Sequence, residues 1–155
     1  MLRSENPSEF IGTLKSIFDS TGEEEQEKSK NSDRIVLRQS ILGFLGNLCG
    51  DAILRGHIAS NIQGILDAVS DSFKVNVEKK PLMWAELVTR ELAVLINVSV
   101  EQAGQTYLIG PKNLVSSMDL LVTGTLFSKT DDLVVEIIGR SLNLLAKLSR
   151  YQKGA

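Results

Sequence analysis

The chain has 155 residues, 43% hydrophobic and 23% charged, which suits one soluble domain long enough to bury a core. A formal net charge of −2 and an isoelectric point near 5.5 give no electrostatic reason to bind nucleic acid or an anionic membrane. Cys49 and His57 are each the only residue of their kind, so neither an intrachain disulfide nor a conventional zinc site can be assembled. The N-terminal MLRSENPSEF lacks the apolar core of a signal peptide, and no apolar run is long enough to span a bilayer. A cytoplasmic protein without cofactor is the expectation.

Asn6-Pro7-Ser8-Glu9 reads as a helix start, with Asn as N-cap, Pro at the first helical position and Glu at the third. Phe10, Ile11, Leu14, Ile17 and Phe18 then supply one apolar face. Residues 21–32, with the run GEEEQEK, are expected to form a solvated, flexible acidic loop. A first long helix follows from about Ser32 to Cys49 and stops at Gly50. DAILRGHI makes a short helix, and Ser60 to Gln63 matches a capping box opening a helix with Ile62, Ile65, Leu66 and Val69 on its face. SFKVNVEKK alternates weakly like a strand; one strand has nothing to pair with, so a loop is expected. Pro81 opens a second long helix through about Val98, and a short helix from Glu101 to Ile109 ends at Gly110-Pro111. Leu114, Met118, Leu121 and Val122 mark the next helix. After a polar turn at Ser128 to Asp132, a third long helix runs to about Arg150.

The long helices repeat one pattern fifty residues apart: LRQSILGFLGNLCG from Leu37, LVTRELAVLINVSV from Leu87 and IIGRSLNLLAKLSR from Ile137. Leu42, Leu92 and Leu142 coincide, as do Leu45, Leu95 and Leu145, and Leu48, Val98 and Leu148. Phe44, Val94 and Leu144 form a fourth apolar column, Asn47, Asn97 and Lys147 a polar one. Apolar positions three and four apart make a helix stripe, and their return at a fixed period signals a helical solenoid. All three members of the Leu45 column are expected to be almost fully buried.

One short and two longer helices per unit, with long helices closing on Asn47-Leu48 and Asn97-Val98, resemble the armadillo repeat. The resemblance implies an all-α, right-handed armadillo-like superhelix of about two and a half repeats, a single domain over 1–155 belonging to a longer array. Two features depart from the family: a spacing of fifty rather than roughly forty, and Gly43, Ala93 and Asn143 where a groove tryptophan is frequent. Armadillo segments also follow tetratricopeptide modules in co-chaperone-like assembly factors.

No H-E-x-x-H, G-x-S-x-G or G-x-x-x-x-G-K motif occurs. Cys49 shares its column with Ser99 and Ser149, which marks a packed small residue rather than a nucleophile. Gly43, Gly46 and Gly50 lie inside an apolar helix pattern with no strand before it, so close packing rather than phosphate binding accounts for them. With no catalytic or metal constellation, the polar face of the long helices is the candidate site. It carries Ser40 and Asn47, then Glu86, Arg90 and Asn97, then Glu136, Arg140, Asn143 and Lys147. In armadillo folds this face lines a groove whose asparagines hold an extended ligand's backbone, a role the resemblance gives Asn47 and Asn97. Glu86–Arg90 and Glu136–Arg140 are also helix-stabilising pairs four apart. The expectation is a non-enzymatic protein-interaction scaffold in complex assembly, binding a protein segment, with self-association through the N-terminal helix. The alternatives are a nucleic-acid-binding helical repeat, which needs a basic stripe, and an enzyme on a helical scaffold.

Overall fold

The computed structural model describes residues 7–22, 28–60, 64–81, 83–126 and 132–150. They form eight α-helices and no strand: α1 (Pro7–Gly22), α2 (Lys28–Leu48), α3 (Ala52–Ser60), α4 (Ile65–Lys79), α5 (Trp84–Val98), α6 (Gln102–Ile109), α7 (Leu114–Leu126) and α8 (Asp132–Leu148). The Asn6 cap, the acidic run 23–27, positions 61–63 of the capping box, most of the turn before α8 and the tail 151–155 lie outside the described residues. Among the described residues no helix is long and apolar enough to cross a membrane.

The long helices make one row, α2 against α5 against α8, and α1, α4 and α7 make a second row behind it. The rows touch through α1–α2, α4–α5 and α7–α8, while the short helices α3 and α6 pack on each other at one end. One packing relation therefore recurs along the chain, as the fifty-residue pattern requires.

The corners repeat down to single hydrogen bonds. Cys49, Ser99 and Ser149 each donate their backbone N–H to the Leu45, Leu95 and Leu145 carbonyls at 3.0, 3.0 and 2.8 Å. Gly50, Val100 and Arg150 turn back onto Asn47, Asn97 and Lys147 in the same way. Arg55 Nη1 donates to the Cys49 carbonyl at 3.2 Å and Gln105 Nε2 to that of Ser99 at 2.6 Å, so each short helix caps the long helix before it. Asp51 is the N-cap of α3, accepting the N–H groups of Ile53 and Leu54 at 2.9 and 3.1 Å. Gly104 is required at the second corner: a Cβ there would lie 2.5 Å from the Val98 carbonyl oxygen.

Several boundaries differ from the sequence expectation. SFKVNVEKK is not a loop but the second half of α4. Phe73 and Val77 extend the buried face of Leu66 and Val69, and Ser72 and Asn76, which break the apolar stripe, are buried on polar partners. The helix starts at Ile65 rather than Ser60, since α3 runs through Ser60. It stops at Lys80, whose φ of 45° is left-handed and whose N–H closes on the Asn76 carbonyl. The loop 21–32 is shorter than expected: α1 reaches Gly22 and α2 begins at Lys28. Pro81 precedes α5, which starts at Trp84.

The core is aliphatic, with Phe18 and Phe73 as its largest fully buried residues. Leu45, Leu95, Leu48, Val98 and Leu148 are buried as expected, but Leu145 is only partly covered and Leu142 is exposed. Among the described residues no further helix stacks on the side of α8 that carries Leu142. On α1, Ile11, Leu14 and Phe18 are buried and only Ile17 is exposed, so the apolar surface at that end lies mainly on α2, at Val36, Leu37 and Phe44.

Candidate binding cleft across the long helices

A cleft of about 400 Å³ opens across α2, α5 and α8. Asn47, Arg90, Asn97, Glu136 and Arg140 line it, together with Gly43, Gly46 and Thr89. Five of the nine candidate residues thus meet in one place, each carried there by the i, i+4, i+7 spacing of its helix. The other four do not line it. Ser40 spends its hydroxyl on the Val36 carbonyl at 3.0 Å; Glu86 and Lys147 are half-buried beside the row, and Asn143 is exposed.

The long side chains in the cleft are anchored one helix back. Arg90 Nη1 donates to the Gln39 carbonyl at 3.2 Å, and Arg140 Nη1 to the Thr89 carbonyl at 3.1 Å. Asn97 Nδ2 reaches the Gly46 carbonyl at 3.4 Å. Each bond spans 51 residues, so the same staple joins α5 to α2 and α8 to α5. Glu136 and Arg140 form the expected ion pair at 2.9 Å. Glu86 and Arg90 do not pair, because Arg90 turns toward α2 instead. Gly43 makes that turn possible: a Cβ there would sit 2.8 Å from Arg90 Nη1. The space in which a bulky residue at 43 would stand is filled by the guanidinium.

Chemically the cleft offers two guanidinium groups, one carboxylate and two amides. An arginine has five N–H donors, so one bond to a neighbouring helix fixes the group and leaves donors for a ligand. Asn47 is exposed and makes no such staple among the described residues. Among the described residues no group of three or more His, Cys, Asp or Glu could hold a metal ion.

One strongly perturbed group, Glu91, lies outside the candidate residues of the polar face. Glu91 has no exposed surface and lies on the opposite side of α5, facing α4. Its carboxylate accepts hydrogen bonds from the Ser72 hydroxyl and from Asn76 Nδ2, the latter at 3.1 and 3.2 Å to its two oxygens. Arg38 completes the cluster. It donates to Ser72 Oγ at 2.7 Å, to the Phe18 carbonyl at 2.9 Å and to Thr21 Oγ1 at 3.0 Å, with its guanidinium 3.8 Å above the Phe18 ring. Burial pushes the Glu91 carboxyl up to about 7, against the opposing pull of Ser72, Asn76 and Arg38. The cluster ties α1, α2, α4 and α5 together and does not line the cleft. One signal was present in the sequence: Glu91 stands in the column of Ile41 and Ser141, where a carboxylate breaks the repeat.

A second polar clamp fixes the α6–α7 connection. Lys112 Nζ sits 2.5 Å from Asp67 and 2.6 Å from Asp71 on α4, and the Tyr107 hydroxyl donates to Asp67. Partial burial pulls Asp67 upward, but the hydrogen bonds from Lys112 and Tyr107 outweigh it and hold the carboxyl below its usual range.

Scans of protein-family models, curated proteins and solved structures find no match to this chain.

Proposed function

We propose that this chain is a protein-interaction scaffold of the armadillo-like solenoid type, and that the cleft across α2, α5 and α8 binds an extended segment of a partner protein. One observation carries this reading: a row of polar side chains from three successive long helices lines a single cleft, with Arg90, Asn97 and Arg140 held in place by staples to the preceding helix. Anchored donors lose little freedom on binding, which is the condition for recognising a backbone by hydrogen bonds. Two guanidinium groups against one carboxylate favour a segment carrying acidic side chains. A right-handed superhelix of about two and a half repeats, in a cytoplasmic assembly or co-chaperone setting, is the form this reading takes.

The test is selection of displayed random peptides on the wild-type chain, counter-selected on Arg140→Glu. Acidic, extended sequences that bind the wild type and not the variant support the reading. Enrichment of basic or purely apolar sequences, or of none, refutes it.

A further inference from the structure

The two ends of the long-helix row are complementary. Positions that face the following helix are covered in the first two long helices and bare in the third: Leu42 and Leu92 are 1% and 0% exposed, Leu142 is 54% exposed. Around Leu142, Val135, Gly139 and Ala146 share the same stripe of α8 and are all exposed; none carries a charge. Their counterparts on α2 and α5 are the surfaces that the next helix staples itself to, at the Gln39, Gly46 and Thr89 carbonyls. Positions that face the preceding helix show the reverse order. Leu37 is 44% exposed, whereas Leu87 and Ile137 are 4% and 0%. Phe44 is likewise exposed, and Val94 and Leu144 are buried.

We propose that a second copy of this chain stacks head to tail on the first, laying the α2 face of one copy, Leu37 and Phe44, on the α8 face of the other, Val135 and Leu142. The chain makes this joint twice within itself, between α2 and α5 and between α5 and α8. Its two ends carry the apolar register positions of that joint with part of their surface bare; on α2 the staple arginine is replaced by Ser40, and Phe44 lies edge-on to Phe10 of α1 at 6.0 Å while keeping 37% of its surface exposed. Burying large apolar side chains on both halves drives association. Because the two faces differ, the contact is heterologous and leaves a free half at each end of the assembly, so association does not stop at a dimer unless the ring closes.

Sedimentation velocity over a concentration series tests this with the wild-type chain, Leu37→Glu and Leu142→Glu, each first checked for unchanged helical circular dichroism. The wild-type mass rises with concentration past that of a dimer. Each variant alone stays monomeric, since one half of the joint is blocked. An equimolar mixture of the two gives a 1:1 complex and goes no further, because each supplies the half the other lacks. If Leu37→Glu loses helical signal, Leu37→Ser replaces it with the same expectation. A wild-type chain that remains monomeric throughout overturns the proposal and leaves the two faces to helices of other proteins. A variant that associates as well as the wild type, or a mixture no heavier than its parts, overturns it equally.

Discussion

Glu91→Gln isolates the buried carboxylate between the two helix rows. The substitution keeps the side-chain volume and removes the titration. In the native chain the carboxyl is held at about 7, against 4.5 for the free group. Between these values the folded state binds a proton that the unfolded chain has given up, so stability falls as the pH rises through the window. The raised acid is neutral and costs nothing below about 4.5. Above 7 its ionisation in the interior destabilises the fold by about 3 kcal/mol. Ser72 and Asn76 already work against that cost by hydrogen bonding the charged form. Other carboxylates, such as Asp67, contribute pH dependence of opposite sign, so the informative quantity is the difference between wild type and variant. Urea unfolding of both at pH 4.5 to 8 should show the wild type losing about 3 kcal/mol relative to Glu91→Gln across that range, most of it below pH 7.5. Parallel curves for the two proteins would mean that Glu91 is solvated or permanently neutralised by Arg38, which would refute the buried cluster.

Other outcomes follow from burial and close contact. Leu95→Ala should cost about 2–5 kcal/mol in urea unfolding, whereas Leu142→Ala, in the exposed third-repeat position, should stay within about 0.5 kcal/mol when both proteins are dilute enough to be monomeric. Gly104→Ala forces a methyl against the Val98 carbonyl and should lower stability by about 1–3 kcal/mol in the same assay. Burial pushes the Cys49 thiol up to about 11, so the folded chain should resist a thiol-specific disulfide reagent at neutral pH and react at once in denaturant.

The long helices were legible because their code is local: a stripe three and four apart, written three times at a fixed spacing, with a shared hydrogen-bonded corner after each copy. The cleft was legible for the same reason, since Asn47, Arg90, Asn97, Glu136 and Arg140 occupy one face of that repeat. What escaped was set by partners distant in sequence. Ser72 and Asn76 interrupt the apolar stripe of α4 and make SFKVNVEKK look strand-like; only Glu91, 19 and 15 residues further on, explains two buried polar residues in a helix. The exposure of Leu142 could not be read from its column, because burial in a stacked array depends on the next helix and not on the residue. The stapling role of Arg90 and Arg140 was hidden too. An i, i+4 carboxylate suggested an intrahelical pair, yet each arginine reaches a carbonyl of the preceding long helix, and only Arg140 keeps its carboxylate as well.

That stapling makes Asn47 the cleanest probe of the cleft, since it lines the cleft, is exposed and holds no neighbouring helix among the described residues. The decisive measurement is the affinity of a selected peptide for Asn47→Ala, taken beside the variant's urea unfolding midpoint. If the polar row holds the peptide, binding weakens at least about tenfold, near 1.4 kcal/mol, with stability unchanged within about 0.5 kcal/mol. Unchanged affinity with unchanged stability would contradict it, because the polar row would then be a solvated helix face and nothing more.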